Sequence, residues 1–402
     1  RFQRVISDYY PGLNKRGAKK LNQYGIVKEW FSKKRILICL LNNRQTSKQA
    51  KMGIKYLNRY MKTQCKSGIS TKPLWKFRNK TLVFDISIYL YRFLSENKLL
   101  ENFFTMVSQC HKNQITPIFV FDGKPTNAKY EVLLERYYRR KAASVEYQEC
   151  QQLLKSEQSE SMTVEERALL EAKMELCKKE STKVTNVHIQ EVRTLLESME
   201  VCCIDALEEA DILCAYLVKR KIAWACVSDD MDMFVYGCQR VLREWDVNKE
   251  EVQLYDRDII MKQLNVYQSN YFSAILILLG TDYQQLLEKD AKSMGIKFSF
   301  YCYHLFLKSK KGRKQRNDRR NHNSECENEK DSVMDFYQWL SKTNKIHVEN
   351  VKPLYKIYEM FQVPKVIDLP KAIVIPKNGD AISGDNFHWT KIKELLKPLG
   401  FI

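Results

Sequence analysis

What the 402-residue sequence lacks narrows it first. Its longest apolar runs, ILICLL at 36–41 and the stretch around Ile275–Leu279, are too short to span a bilayer, so no segment reads as a transmembrane helix and no membrane partner is expected. No signal-peptide pattern opens the chain. The twelve cysteines form no CxxC pair and no regular framework. A disulfide scaffold is thereby excluded, and free thiols in a reducing intracellular compartment are expected. Cys302, His304, His322 and Cys326 are spaced too irregularly for a zinc site. There is no Walker-type glycine loop, and the six histidines form no cluster that would suggest another chemistry. Internal repeats are absent too. The length leaves room for one large core or two to three modest domains.

The balance of charge is the first positive signal. Lys and Arg outnumber Asp and Glu by 67 to 48, a net charge of +19. Residues 1–51 hold 13 of the bases and 2 of the acids, +11 of the total, which leaves +8 on 52–402. Basicity alone serves solubility as well as it serves a polyanionic partner. A nucleic acid fits because Lys and Arg gain affinity by displacing phosphate counterions.

The chain divides by composition. Residues 1–51 are basic and unlike the rest, and Met52-Gly53-Ile54 reads as a start. We therefore expect 1–51 to be a non-catalytic extension, or an upstream frame outside the mature protein. From 81 onward apolar runs that read as strands (TLVFD, TPIFVFD, VCCID, IAWACVSD and VLREW, with EVQLYD as an edge strand) alternate with helical stretches at 87–111, 187–199, 208–219 and 266–279. This predicts an α/β fold with a mostly parallel central sheet and helices on both faces. Segments 52–125 and 186–300 would form it. Between them, 126–185 is charged, helical in spacing and without glycine or proline. It predicts two long exposed helices, the second opened by Ser161 or Thr163 as cap, forming either a solvated hairpin or a lid. Residues 301–331 read as a charged, disordered linker, and 332–402 as a helical C-terminal region with helix over 332–361 and a short amphipathic helix within 386–402.

Seven carboxylates sit in five short motifs. Asp85 ends TLVFD, Asp122 lies in VFDGKP, Glu209 and Asp211 in ALEEAD, Asp230 and Asp232 in SDDMD, and Asp282 in LLGTDY. Each ends or follows an apolar run, where α/β folds place ligand-binding groups. Asp230 and Asp232, two apart on extended chain, point to one side. Glu209 and Asp211 sit at a helix start, where one acid would be accounted for by the helix dipole and two are less easily so. Any one of these acids has an ordinary structural explanation as a cap or strand end; the joint pattern does not. Seven acids on one edge require cations, and an all-oxygen donor set points to magnesium, with manganese as a substitute. A pair of such ions is the usual apparatus for cleaving a phosphodiester. Lys124, Lys129, Arg136, Arg139 and Arg140 follow directly, and Lys129 and Arg136, two helical turns apart, share a face. They could stabilise charge on a scissile phosphate, or form a solvated basic face.

These motifs, in this order, resemble the flap endonuclease / XPG family of structure-specific nucleases, over Met52 to about Tyr283, with MGIKYL resembling that family's N-terminus. The resemblance implies a PIN-like 5′ nuclease fold with a helical arch at 126–185, and a two-ion site acting on branched or 5′-flap DNA as flap endonuclease and 5′ exonuclease, in replication, repair or recombination. It implies that Asp122, Glu209 and Asp211 hold one ion with Asp85 in support, and that Asp230, Asp232 and Asp282 hold the second. Lys129 and Arg136 match the arch bases that meet the scissile phosphate. Tyr91 matches a base-stacking aromatic and Gly53 a glycine close to DNA. Lys124, Arg139 and Arg140 would add DNA contacts. Alternatives within the same fold are a junction resolvase, or an inactive nucleic-acid scaffold.

Departures from the family pattern are also present. The Asp85–Asp122 segment is shortened. KSMGIKFS at 292–299 keeps only Gly295 of a glycine-rich duplex-gripping turn. The second acid of the E-x-D pair is aspartate, and the ending KPLGFI shows no sliding-clamp-binding box. In this divergence the chain looks like the flap-endonuclease-like proteins of poxviruses and other large DNA viruses. A monomer is expected, placed in the nucleus if cellular, and at a cytoplasmic replication site or in the host nucleus if viral.

Overall fold

The computed structural model describes residues 54, 56–126, 129–156, 162–283, 286–287, 293–317, 329–346, 351–367 and 387–400. All belong to the compact unit Met52–Ile402. The expectations for residues 1–51, Gly53, Ser161, His322 and Cys326 lie outside the described residues.

A seven-stranded sheet organises the unit. Its strands are β1 (Ile69–Pro73), β2 (Thr81–Asp85), β3 (Thr116–Phe121), β4 (Cys202–Asp205), β5 (Ala225–Val227), β6 (Arg240–Asp246) and β7 (Glu251–Asp256), in the order β1-β7-β6-β5-β2-β3-β4. The five strands from β6 to β4 run parallel, and β7 and β1 add antiparallel pairings at one side. EVQLYD is therefore a strand but not the edge, which is taken by β1. ISTKP escapes notice because it is polar, half-buried and ends in proline, as edge strands often do.

Strand alternation feeds two cores. Val83, Ile118, Val120, Ile204 and Val241 face one side, packed with helices α7 (Ala210–Lys219) and α9 (Ser269–Leu278). Leu82, Phe84, Phe119, Phe121 and Leu242 face the other, packed with α2 (Ile86–Ser95), α3 (Leu99–Lys112), α6 (Asn186–Ser198) and α13 (Trp389–Leu396). Because β2 and β3 are buried on both faces, they read as unbroken apolar runs.

The helical stretch expected over 87–111 consists of two helices. Asn97 takes a left-handed conformation (φ 55°) and breaks the chain between α2 and α3. The first core also receives α1 (Leu57–Gln64), α10 (Ile296–Asn317), α11 (Glu329–Lys342) and α12 (Lys352–Met360). A further short helix, α8 (Arg257–Gln263), follows β7. Two corrections follow. The linker expected at 301–331 is helical through Asn317, because Cys302, Tyr303 and Phe306 are buried against α9 and α11. The C-terminal helix expected over 332–361 is split into α11 and α12.

Residues 126–185 form two helices, α4 (Tyr130–Lys155) and α5 (Val164–Ser181). Thr163 opens α5 with a reciprocal capping box to Glu166. The pair is held together by Lys173 on Glu146 (3.1 Å) and by the buried thiols of Cys150 and Cys177. No helix among the described residues is long and apolar enough to cross a membrane.

Candidate active site

Parallel strands deliver the acids to one end of the sheet. Asp85 is the last residue of β2 and the N-cap of α2, its carboxylate accepting from the Ser87 N–H (3.2 Å) and the Ser228 hydroxyl (3.0 Å). Asp122 follows β3, takes the Ser87 hydroxyl, and accepts the Ala210 N–H at the start of α7 (2.8 Å). Gly123 makes this possible: a Cβ there would lie 2.1 Å from the Ala206 carbonyl oxygen, so only glycine lets the two loops meet. Glu209 is the N-cap of α7 and Asp211 lies in its first turn. Asp230 and Asp232 follow β5, with the Asp232 N–H donating to the Asp230 carboxylate (2.8 Å). Asp282 follows α9, where Gly280 (φ 102°) turns the chain back toward the acids.

The seven acids share one electrostatic neighbourhood. Burial, with repulsion from Asp122 and Asp230, lifts the Asp85 carboxyl to about 7. Asp211 is pushed well above the usual carboxylate range by burial, then by Asp85 and Asp230; Asp232 likewise by burial, then by Asp230 and Asp282. Burial also raises Asp230, and Asp282 adds to it. Crowded, desolvated carboxylates of this kind are unfavourable without cations.

Two cations come from the start of α4. Lys129, just before α4, pairs with Glu209 (2.7 Å), and Arg136 pairs with Asp282. Burial pulls the Lys129 ammonium down, but Glu209, Tyr283 and Asp211 outweigh it and keep the group charged. Tyr91 on α2 is exposed and its hydroxyl accepts from Arg140 (3.4 Å). Lys124 is exposed and Arg139 half-buried.

The acids also meet a divalent cation's requirements, in part. Asp211 and Asp232 each keep one buried carboxylate oxygen without a hydrogen-bond partner. Such orphaned oxygens, in an all-carboxylate set, suit a hard cation. Among the described residues no three acids stand close enough to surround one ion as they are. Two of the seven are engaged by Lys129 and Arg136, and Asp122 by Ser87 and Ala210.

Several contributors carry no mark in the sequence. Ser87 and Ser228 bridge Asp85 to its neighbours; each stands two residues from an acid, and Ser228 also opens SDDMD. Tyr236 and Tyr283 both donate to Glu209; Tyr283 sits inside LLGTDY, whereas Tyr236 has no motif.

Comparison with known proteins gives the class first. The fold is that of the PIN-like 5′ nucleases: the catalytic core of Rad2, solved with a DNA substrate, superposes with a TM-score of 0.53 at 21% identity, over 86% of this chain and 100% of that one. Human GEN1, solved with Holliday junction DNA, gives 0.50 at 16% identity, over 87% of this chain and 74% of that one. In sequence, the XPG N-terminal domain matches residues 52–143 and the XPG I-region matches 200–282. Flap endonuclease 1 of Encephalitozoon cuniculi is 31% identical over 254 residues, 59% of this chain and 69% of that protein. Flap endonuclease 1 of Bos taurus is 28% identical over 250 residues, 58% of this chain and 62% of that protein. The chain belongs to the XPG family of flap endonucleases, which are structure-specific 5′ nucleases.

Proposed function

We propose that this nuclease cleaves branched DNA where a duplex meets a 5′ single strand, using two magnesium ions held by the seven acids, with manganese as substitute. The observation that carries the reading is the pairing of Lys129 and Arg136 with Glu209 and Asp282. It sets two arch cations directly over the acids, where a scissile phosphate has to enter. Asp122, Glu209 and Asp211, with Asp85 behind them, would hold one ion; Asp230, Asp232 and Asp282 would hold the other. Once bound, the ions supply Lewis-acid activation of water and charge stabilisation at the departing oxygen.

The chain's own residues do the rest. A phosphate arriving at the acids competes for Lys129 and Arg136, which exchange a carboxylate for a phosphate oxygen and keep a charge-assisted bond throughout. Tyr91, exposed beside Arg140, offers a ring to the base flanking the cut. Arch helices α4 and α5 confine the single strand. The product carries a 5′ phosphate, and the enzyme acts as a monomer in replication, repair or recombination.

Lys129→Ala should lower the single-turnover cleavage rate by much more than it weakens DNA binding, because its contact is strongest where charge develops. Equal losses in both would reduce Lys129 to a docking charge. Substrate class is tested with end-labelled 5′-flap, nicked, gapped and four-way DNA in magnesium. Cuts at the flap base that outpace the others support this reading. Preference for the four-way junction would move it to a junction-resolving nuclease.

A further inference from the structure

Glu209 is bound differently from the other acids. As the N-cap of α7 it makes no side-chain capping bond. Its carboxylate, on a residue only 8% exposed, instead takes the Tyr283 hydroxyl at both oxygens (3.1 and 3.2 Å) and the Tyr236 hydroxyl at one (3.5 Å). Lys129 is its third partner, at 2.7 Å, with its ammonium 5.3 Å from the centre of the Tyr283 ring. In each of these bonds the phenol donates and the carboxylate accepts.

The two tyrosines are fastened from behind by a residue of the C-terminal region. Phe361, at the C-terminal end of α12 and 1% exposed, meets the Tyr236 ring at 4.7 Å and the Tyr283 ring edge-on at 5.4 Å. Chain connectivity gives this cluster its mechanical sense. Tyr283 is the neighbour of Asp282, and Tyr236 lies four residues after Asp232. Each is tethered to one acid group while its hydroxyl holds an acid of the other.

We propose that Tyr236 and Tyr283 are positioning residues that aim Glu209 and set the spacing between the two acid groups, with Phe361 making the C-terminal helices part of the active-site frame. The inference rests on the metal reading of Glu209 above. Lys129 must leave Glu209 to meet a phosphate; the phenols keep the carboxylate in place when it does. Outer partners of this sort orient a ligand, and their loss costs roughly 10- to 100-fold in metal affinity or activity.

The test measures Mn2+ binding to the full chain by electron paramagnetic resonance and titration calorimetry, beside melting in EDTA. The variants are Tyr236→Phe, Tyr283→Phe, the double variant, Phe361→Leu and Glu209→Gln. Each phenylalanine keeps the ring and removes only the hydroxyl. The double variant should bind Mn2+ about 10-fold more weakly or worse, with its melting in EDTA close to the parent's and cleavage partly recovered by raising Mn2+. Phe361→Leu should shift affinity in the same direction by less. Parent-like Mn2+ affinity in the double variant, with Glu209→Gln weakened, would overturn the inference and leave the metal reading standing. Parent-like affinity in Glu209→Gln would overturn both. Parent-like affinity in Phe361→Leu alone would remove the C-terminal helices from the frame.

Discussion

Asp211 shows at the residue scale what gathering these acids costs the fold. One of its carboxylate oxygens is buried without a partner, and burial and neighbouring acids push its protonation equilibrium upward. The neutral amide of Asp211→Asn escapes the repulsion and the cost of burying a charge, and keeps only the smaller cost of a buried polar group. In EDTA this variant should melt at or above the parent, by roughly 1–3 °C, and magnesium should raise the parent's melting temperature more than the variant's. A variant clearly less stable in EDTA would mean that the carboxylate holds the fold together. The acids were legible because each motif is local, an apolar strand or helix start followed at once by carboxylates. Their partners were not. Tyr236 and Tyr283 reach Glu209 from 27 and 74 residues away, and a tyrosine in an apolar setting is indistinguishable from core until the chain has folded.

At the scale of elements, the base of α4 is unusual for its exposure. Tyr130, Leu133, Leu134, Tyr137 and Tyr138 are all exposed, interleaved with Arg136, Arg139 and Arg140. Rings and guanidiniums in alternation suit a single strand, whose bases stack while its phosphates pair. Replacing Tyr137 and Tyr138 together with alanine should weaken binding of 5′-flap DNA by about 1–3 kcal/mol per stacked base and leave nicked duplex nearly unaffected. Equal weakening of both substrates would remove these rings from the single-strand path. The helix pair α4 and α5 was legible from its unbroken charged helical spacing. The break at Asn97 was not, because a left-handed asparagine carries none of the punctuation of glycine or proline. Edge strand β1 was hidden for a related reason: half-buried and polar, it has no apolar run to declare it.

For the whole molecule, the unbroken apolar runs of strands buried on both faces were written into the sequence, and with them the parallel sheet between helices and the end where the acids gather. What the C-terminal region contributes was not. Helices α10, α11 and α12 join the core beneath the acids through long-range contacts, so Phe361 gives no local sign of its place behind Tyr236 and Tyr283. Residues Met52–Ile402 form a compact unit of their own. Removing 1–51 should therefore preserve cleavage or raise it, read as turnover on 5′-flap DNA; a dead truncation would show that the extension is needed.

The central claim is that the acids act through divalent cations on DNA. Asp232 tests it most directly, being buried, acidic and orphaned at one oxygen. Cleavage of 5′-flap DNA in magnesium by the parent and by Asp232→Asn should fall in the variant by more than the roughly 100-fold that loss of an outer partner can reach, while flap binding stays close to the parent's. Undiminished cutting by Asp232→Asn would contradict the account.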